Sequence, residues 1–156
     1  MTRSLACLSV ALLLAGCNQA TALQCANADI NPDAGVEACA RLIELDDQDA
    51  ASRASWHVNR GQHHLRAGRT EPALRDLERA VELSPKDENA LLVRGIAYGT
   101  AGRMDESLRD FDRAIALAPS LFAGHMNRGK VLSDTGRFRE ALAAYDRAIA
   151  LEPDAW

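Results

Sequence analysis

Four histidines, His57, His63, His64 and His125, are the side chains whose chemistry could ligate a metal or move a proton at neutral pH. His57 and His64 lie seven residues apart, a spacing that places both on one face of a helix. Both occupy packing-type positions, however, His125 is far along the chain, and no carboxylate close in sequence completes a ligand set for zinc or another divalent ion. No metal site and no cofactor are therefore expected. Nothing in the chain has the form of a nucleotide-binding loop, a nucleophile elbow or an isolated pair of catalytic carboxylates. A catalytic role is not expected, and a histidine-dependent metal-binding protein is the rival from that class.

The cysteines are more informative. Residues 1–16 carry one charge, Arg3, and then an apolar run from Leu5 to Ala15, the layout of a secretory signal peptide. Leu14-Ala15-Gly16-Cys17 follows, and these four residues resemble the lipobox of bacterial lipoproteins. The resemblance implies a diacylglycerol on Cys17, cleavage before it, and a palmitate-bearing protein held at a membrane of the bacterial cell envelope. Asn18 is not the aspartate that retains lipoproteins at the inner membrane, which favours the outer membrane, facing the periplasm. With Cys17 taken by lipid and Cys7 removed with the signal, Cys25 and Cys39 remain in an oxidising compartment, and a disulfide between them is expected rather than two unpaired thiols.

Composition sets the outer limits. The chain has 156 residues, of which 47% are hydrophobic and 26% charged, enough for one packed core. No apolar run reaches the roughly 20 residues of a membrane-spanning helix, so a polytopic membrane protein is excluded. The formal charge of −4 lacks the basic excess that drives nucleic-acid binding, and nucleic acid is not an expected partner. After removal of residues 1–16 the balance is 17 basic to 22 acidic residues, a formal charge of −5.

The elements that must position these residues repeat with a period of 34. Arg60-Gly61, Arg94-Gly95 and Arg128-Gly129 obey it, as do Gly68-Arg69, Gly102-Arg103 and Gly136-Arg137. So do Leu74, Leu108 and Leu142, then Ala80, Ala114 and Ala148, then Pro85, Pro119 and Pro153. Each unit reads as two helices, the first from Ala54 to Ala67 and the second from Glu71 to Leu83, with equivalents one and two periods later. Gly68 and its equivalents end the first helix in the left-handed conformation, and the prolines stop the second. Gly61, Gly95 and Gly129 fall inside a helix, where glycine costs about 1 kcal/mol, so close helix packing must compensate. Ala73, Ser107 and Ala141 are the matching small residues on the second helix, with Leu77, Phe111 and Tyr145 filling the larger gaps.

These residues resemble the tetratricopeptide repeat family, from Ala54 to Pro153 and almost without gaps. The resemblance implies an all-α, right-handed superhelical solenoid of antiparallel helix pairs, whose first helices line a concave groove that binds peptides or protein segments. Three repeats are expected, over 52–85, 86–119 and 120–153, preceded by a tether over 17–30 and an N-terminal half repeat over 31–51. Asn31-Pro32 starts the helix of that half repeat, which lacks a first helix of its own, and the Cys25–Cys39 bridge would hold the preceding segment against it. From Asp47 to Gly61 is longer by four residues than from Pro85 to Gly95, so the next helix gains about one turn. Residues 154–156, ending in Trp156, stand where a fourth repeat begins, which would leave the apolar face of the last helix uncovered. Self-association, a bound protein or a truncated array would each account for that.

The groove is expected to be lined by Val58, Asn59 and Gln62, then Leu92, Val93 and Ile96, then Met126, Asn127 and Lys130. The asparagines would bond an extended peptide backbone and the apolar residues would offer an adaptable surface, or some of these side chains simply face water. Some relatives clamp chaperone C-termini with Lys, Asn, Asn, Lys and Arg. Here the corresponding residues are Val58, Gln62, Val93, Ala123 and Asn127, so that clamp is absent. Asp76, Asp110, Asp112 and Asp146 recur with the repeat. Arg60 and Arg94 should pair with Asp76 and Asp110, while Ala144 removes the equivalent partner of Arg128 and leaves it to bind something else. The sum is a membrane-anchored adaptor or scaffold for protein partners, with a passive structural or self-associating lipoprotein as the alternative.

Overall fold

The structure, a computed structural model, describes residues 19–27, 29–45 and 49–153. The signal segment 1–16, Cys17, Asp47 and Trp156 lie outside the described residues. Within them the chain is helical, without a strand: α1 (19–26), α2 (Pro32–Ile43), α3 (Ala50–Arg66), α4 (Thr70–Leu83), α5 (Glu88–Thr100), α6 (Met104–Leu117), α7 (Phe122–Asp134) and α8 (Phe138–Leu151). No helix among the described residues is long and apolar enough to cross a membrane.

Local chemistry explains the boundaries. Asn31, Asp49 and Asp87 cap α2, α3 and α5 by accepting hydrogen bonds from backbone N–H groups of the first turn. Gly68, Gly102 and Gly136 all take positive φ, 71°, 76° and 77°, and end the first helix of each pair. The residue after each glycine then donates back to a carbonyl five positions earlier, Arg69 to His64, Arg103 to Tyr98 and Arg137 to Leu132, each at 2.8 Å. The expected extra turn is present, since α3 has 17 residues where α5 and α7 have 13.

Helices pair as α3 with α4, α5 with α6 and α7 with α8, and each pair stacks on the next through α4 with α5 and α6 with α7. The first helices also touch one another, α3 with α5 and α5 with α7, whereas no such contact joins α4 to α6 or α6 to α8. The stack therefore curves, with α3, α5 and α7 on its inner side. Mid-helix glycines make the pairing tight: a Cβ at Gly61, Gly95 or Gly129 would lie 2.8, 2.6 or 2.7 Å from Leu77, Phe111 or Tyr145 respectively. Two apolar cores result, one centred on Leu74, Leu77, Leu91 and Val93, the other on Leu108, Phe111, Val131 and Leu132.

The N-terminal part departs from expectation. The segment taken as a tether over 17–30 is helical over 19–26, so the half repeat does have a preceding helix. Cys25 at the end of α1 is bonded to Cys39 in α2, with Cα atoms 4.8 Å apart. Together with Ala38 and Leu42 they form a third, small core against which Trp56 packs. α2 lies on α3 as α4 lies on α5. The seam is polar as well as apolar. Buried His63 meets the Cys25 carbonyl through Nε2 at 3.0 Å and packs where a side chain at Gly35 would otherwise sit. Arg66 donates to the Ile30 carbonyl at 3.0 Å and Arg69 to Asp33 at 2.6 Å.

At the other end α8 exposes an apolar stripe of Phe138, Leu142 and Ile149. Leu142 is 62% exposed, while its equivalents Leu74 and Leu108, covered by α5 and α7, are 2% and 8% exposed.

Candidate functional site

The inner face carries a cleft of about 210 Å³ between α5, α6 and α7. Ile96, Met104 and Phe111 give it an apolar interior, and Thr100, Asn127, Lys130 and Asp134 a polar rim. It exists because of Gly99. One repeat earlier this position is Leu65, which packs on the first core, and one repeat later it is Ser133. At Gly99 there is no side chain, and the nearest atoms to a Cβ there would be Ser107 Oγ at 3.3 Å and Val131 Cγ2 at 3.8 Å. Ser107 is itself satisfied, donating to the Gly95 carbonyl at 2.7 Å, so the floor presents no unpaired buried hydroxyl. On the rim, Asn127 donates to Ala123 at 2.8 Å and Lys130 meets Asp134 at 3.0 Å in a solvent-exposed pair.

Of the residues assigned to the groove from sequence, Ile96, Asn127 and Lys130 line this cleft. Asn59 and Met126 are half-buried and Gln62 is exposed. Val58, Leu92 and Val93 do not line the cleft. They are buried in the two cores, because the helix face they occupy points at the neighbouring helix pair rather than into the concavity. Gly99, Thr100, Met104 and Asp134 were missed by sequence reasoning. The signal that could have found them is the break in the repeat at position 99, where a leucine gives way to glycine.

The 34-residue spacing builds a second feature, two largely buried ion pairs in consecutive repeats. Arg60 clasps Asp76 through Nε at 2.9 Å and Nη2 at 2.6 Å, and Arg94 clasps Asp110 at 2.7 and 2.8 Å. His57 Nδ1 also reaches Asp76, at 3.0 Å, and His64 Nε2 lies 3.8 Å from it. Burial alone would raise the Asp76 pKa, but the hydrogen bonds from His57 and Arg60 and the Arg60 charge outweigh it and hold the carboxyl below its ordinary range. Burial pushes the His64 imidazole down, against the pull of Asp76 and with the help of Arg69, Arg60 and Arg75. The fold brings the Asp76 carboxylate beside the histidines, but Arg60 already occupies both of its oxygens. Among the described residues no group of three or more His, Cys, Asp or Glu side chains is gathered to hold a metal ion.

Arg128 corrects another expectation. It is not left without a partner: its Nε donates to Asp112 of α6 at 2.6 Å. Arg60 and Arg94 pair with an aspartate 16 residues ahead, and Arg128 with one 16 residues behind. His125, the equivalent of His57, meets the Pro119 carbonyl through Nε2 at 3.1 Å.

Two family models match the chain, both described as tetratricopeptide repeat, one over residues 58–121 and the other over 122–155. No curated protein matches it. Among solved structures, MamA is 20% identical with a TM-score of 0.69, the alignment covering 78% of this chain and 69% of MamA. YrrB, described as a TPR protein with an unusual peptide-binding site, is 22% identical with a TM-score of 0.69, over 80% of this chain and 62% of YrrB. The first TPR of Spaghetti (RPAP3), bound to the HSP90 peptide SRMEEVD, is 21% identical with a TM-score of 0.66, over 68% of this chain and 84% of that one. At these identities the likeness is one of fold.

Proposed function

The chain belongs to the tetratricopeptide repeat family, and from that premise we propose that it is a protein-interaction adaptor which receives a peptide or protein segment on its inner face. The observation that carries this reading is the Gly99 cleft, an apolar recess with a hydrogen-bonding rim placed midway along the row of first helices. Its volume suits one or two apolar side chains, and Thr100 and Asn127 stand beside it to meet an extended backbone. YrrB and the Spaghetti domain, which share the fold, have peptide-binding sites, and this supports the same use here. A Spaghetti-like peptide is not the proposed ligand, because Val58 and Val93 stand at two positions of the chaperone clamp and are buried. No catalytic step is part of the proposal.

The proposed location is the bacterial cell envelope, with the lipid on Cys17 holding the solenoid at the outer membrane on its periplasmic side. The Cys25–Cys39 bridge supports an oxidising compartment. Mass spectrometry of the native protein reads the acyl groups, and Cys17→Ala should release the protein from the membrane fraction.

The adaptor reading is tested with a random peptide library presented to the wild type and to Ile96→Glu, a half-buried position at the cleft, with unchanged circular dichroism as the control for folding. Peptides sharing an apolar anchor, bound by the wild type and lost by the variant, are expected. Peptides bound equally by both would move the site elsewhere. A second reading, self-association, is favoured by the exposed Phe138, Leu142 and Ile149 of α8. Sedimentation of Leu142→Lys against the wild type decides it.

A further inference from the structure

Each repeat carries the same set of positions around one point of its second helix. At Asp76 the carboxylate is held by His57 and Arg60. One repeat later Asp110 is held by Arg94, with Arg113 at 3.7 Å. In the third repeat the corresponding ligand positions are His125, Arg128 and Arg147, so both arginines and the histidine are present, yet the central residue is Ala144. These four, with Asp112 and Ile115, line an open cleft of about 340 Å³ that shares no residue with the Gly99 cleft.

The electrostatics of the cleft are unbalanced. Arg128 spends its Nε on Asp112, and among the described residues no carboxylate stands within ion-pair distance of Arg147. The lining holds two guanidinium groups and one carboxylate, and the nearby Glu140 is already bonded by Arg137, so one positive charge is left over where the two preceding repeats place a carboxylate and this one has the methyl of Ala144. Arg128 is only partly solvent-exposed, 26% of its side chain, so the attraction is not fully screened by water. A second carboxylate supplies the missing charge with the planar, two-oxygen geometry that arginine forks prefer. A dianion fits less well, because Asp112 remains in the wall.

We propose that the cleft over Ala144 is a binding site for a carboxylate supplied by a protein partner, which takes the place that Asp76 and Asp110 fill internally in the first two repeats. The site is distinct from the inner groove and does not depend on it.

The experiment uses the full chain. Sodium formate is titrated against sodium chloride at matched ionic strength while the guanidinium Nε–H signals are followed by NMR. A saturable shift at Arg128 and Arg147 is expected with formate alone. Ala144→Asp restores the internal carboxylate and should abolish that shift while keeping the fold. Arg147→Gln, a substitution at an exposed side chain, should weaken formate about tenfold or more, as loss of a charged hydrogen bond requires. Two peptides then separate the sources: an amidated one with an internal glutamate, and a neutral one ending in a free carboxylate. Binding of either, lost in Arg147→Gln, supports the site and names its source. No saturable shift, a shift unchanged in Ala144→Asp, or formate binding with neither peptide bound overturns the proposal.

Discussion

Arg94 and Asp110 meet through two parallel hydrogen bonds, 2.7 Å from Nε to Oδ2 and 2.8 Å from Nη2 to Oδ1, joining the two helices of the middle repeat. Both side chains are largely buried, and the hydrogen bond to Asp110 is the first reason that the Arg94 pKa is raised. Asp110→Ala leaves a buried guanidinium without its partner and should destabilise the protein by about 3 kcal/mol or more. Removing both charges, in Arg94→Met with Asp110→Leu, should destabilise it less than the single change. Urea unfolding of the two variants makes the comparison.

Stability should fall in two steps as the pH drops. The His64 pKa is depressed in the fold, so the unfolded chain takes up a proton first, at the ordinary value of 6.5, and the contribution of His64 is complete above that pH and declines below it. The Asp76 pKa is also depressed, so its contribution is complete above the ordinary 3.8 and is lost as the pH falls below it. Urea midpoints measured from neutral pH downward should show both limbs. His64→Gln should flatten the upper one, and Asp76→Asn should lower the midpoint at neutral pH and remove its share of the lower limb.

Reduction of the Cys25–Cys39 bridge should lower the melting temperature. The closed loop has a sequence separation of 14, and its closure contributes about 3 kcal/mol on the chain-entropy argument. Hydrogen exchange on the reduced protein should show faster exchange in α1 and α2, with protection in α5 and α6 retained. An unchanged melting temperature would show that the cap contributes nothing to the solenoid.

Gly95→Ala and Gly129→Ala place the same methyl against different neighbours. At Gly95 the Cβ would lie 2.6 Å from Phe111, which is 1% exposed and enclosed, and the expected loss is about 2 kcal/mol. At Gly129 it would lie 2.7 Å from Tyr145, which packs at the edge of the second core and is only half-buried, so the loss should be smaller. Thermal melts of the pair of variants test the order.

The pattern of glycines, alanines and prolines made the helix pairs legible, since each marks a position where backbone geometry or close approach admits few residues. The forward pairing of Arg60 and Arg94 with Asp76 and Asp110 was legible for the same reason: it recurs. The groove was less so. Periodicity says that Val58 and Leu92 are equivalent, yet both are buried, and only the curvature of the stack decides which face of a first helix is inside. Arg128 eluded the reading because its partner, Asp112, lies in the preceding repeat, in a direction that the other two pairs do not use. α1 had no repeat counterpart from which it could be inferred.

The bridge between α1 and α2 also determines how the molecule carries force. Tension entering from the N-terminal side passes at Cys25 across a covalent bond to Cys39, so the intervening loop bears none of it. Stretching the chain to full length would leave that segment folded back on itself, hiding roughly 45 Å of contour at about 3.4 Å per residue. The load passes instead from Cys39 along the end of α2 and meets the solenoid where α2 packs on α3.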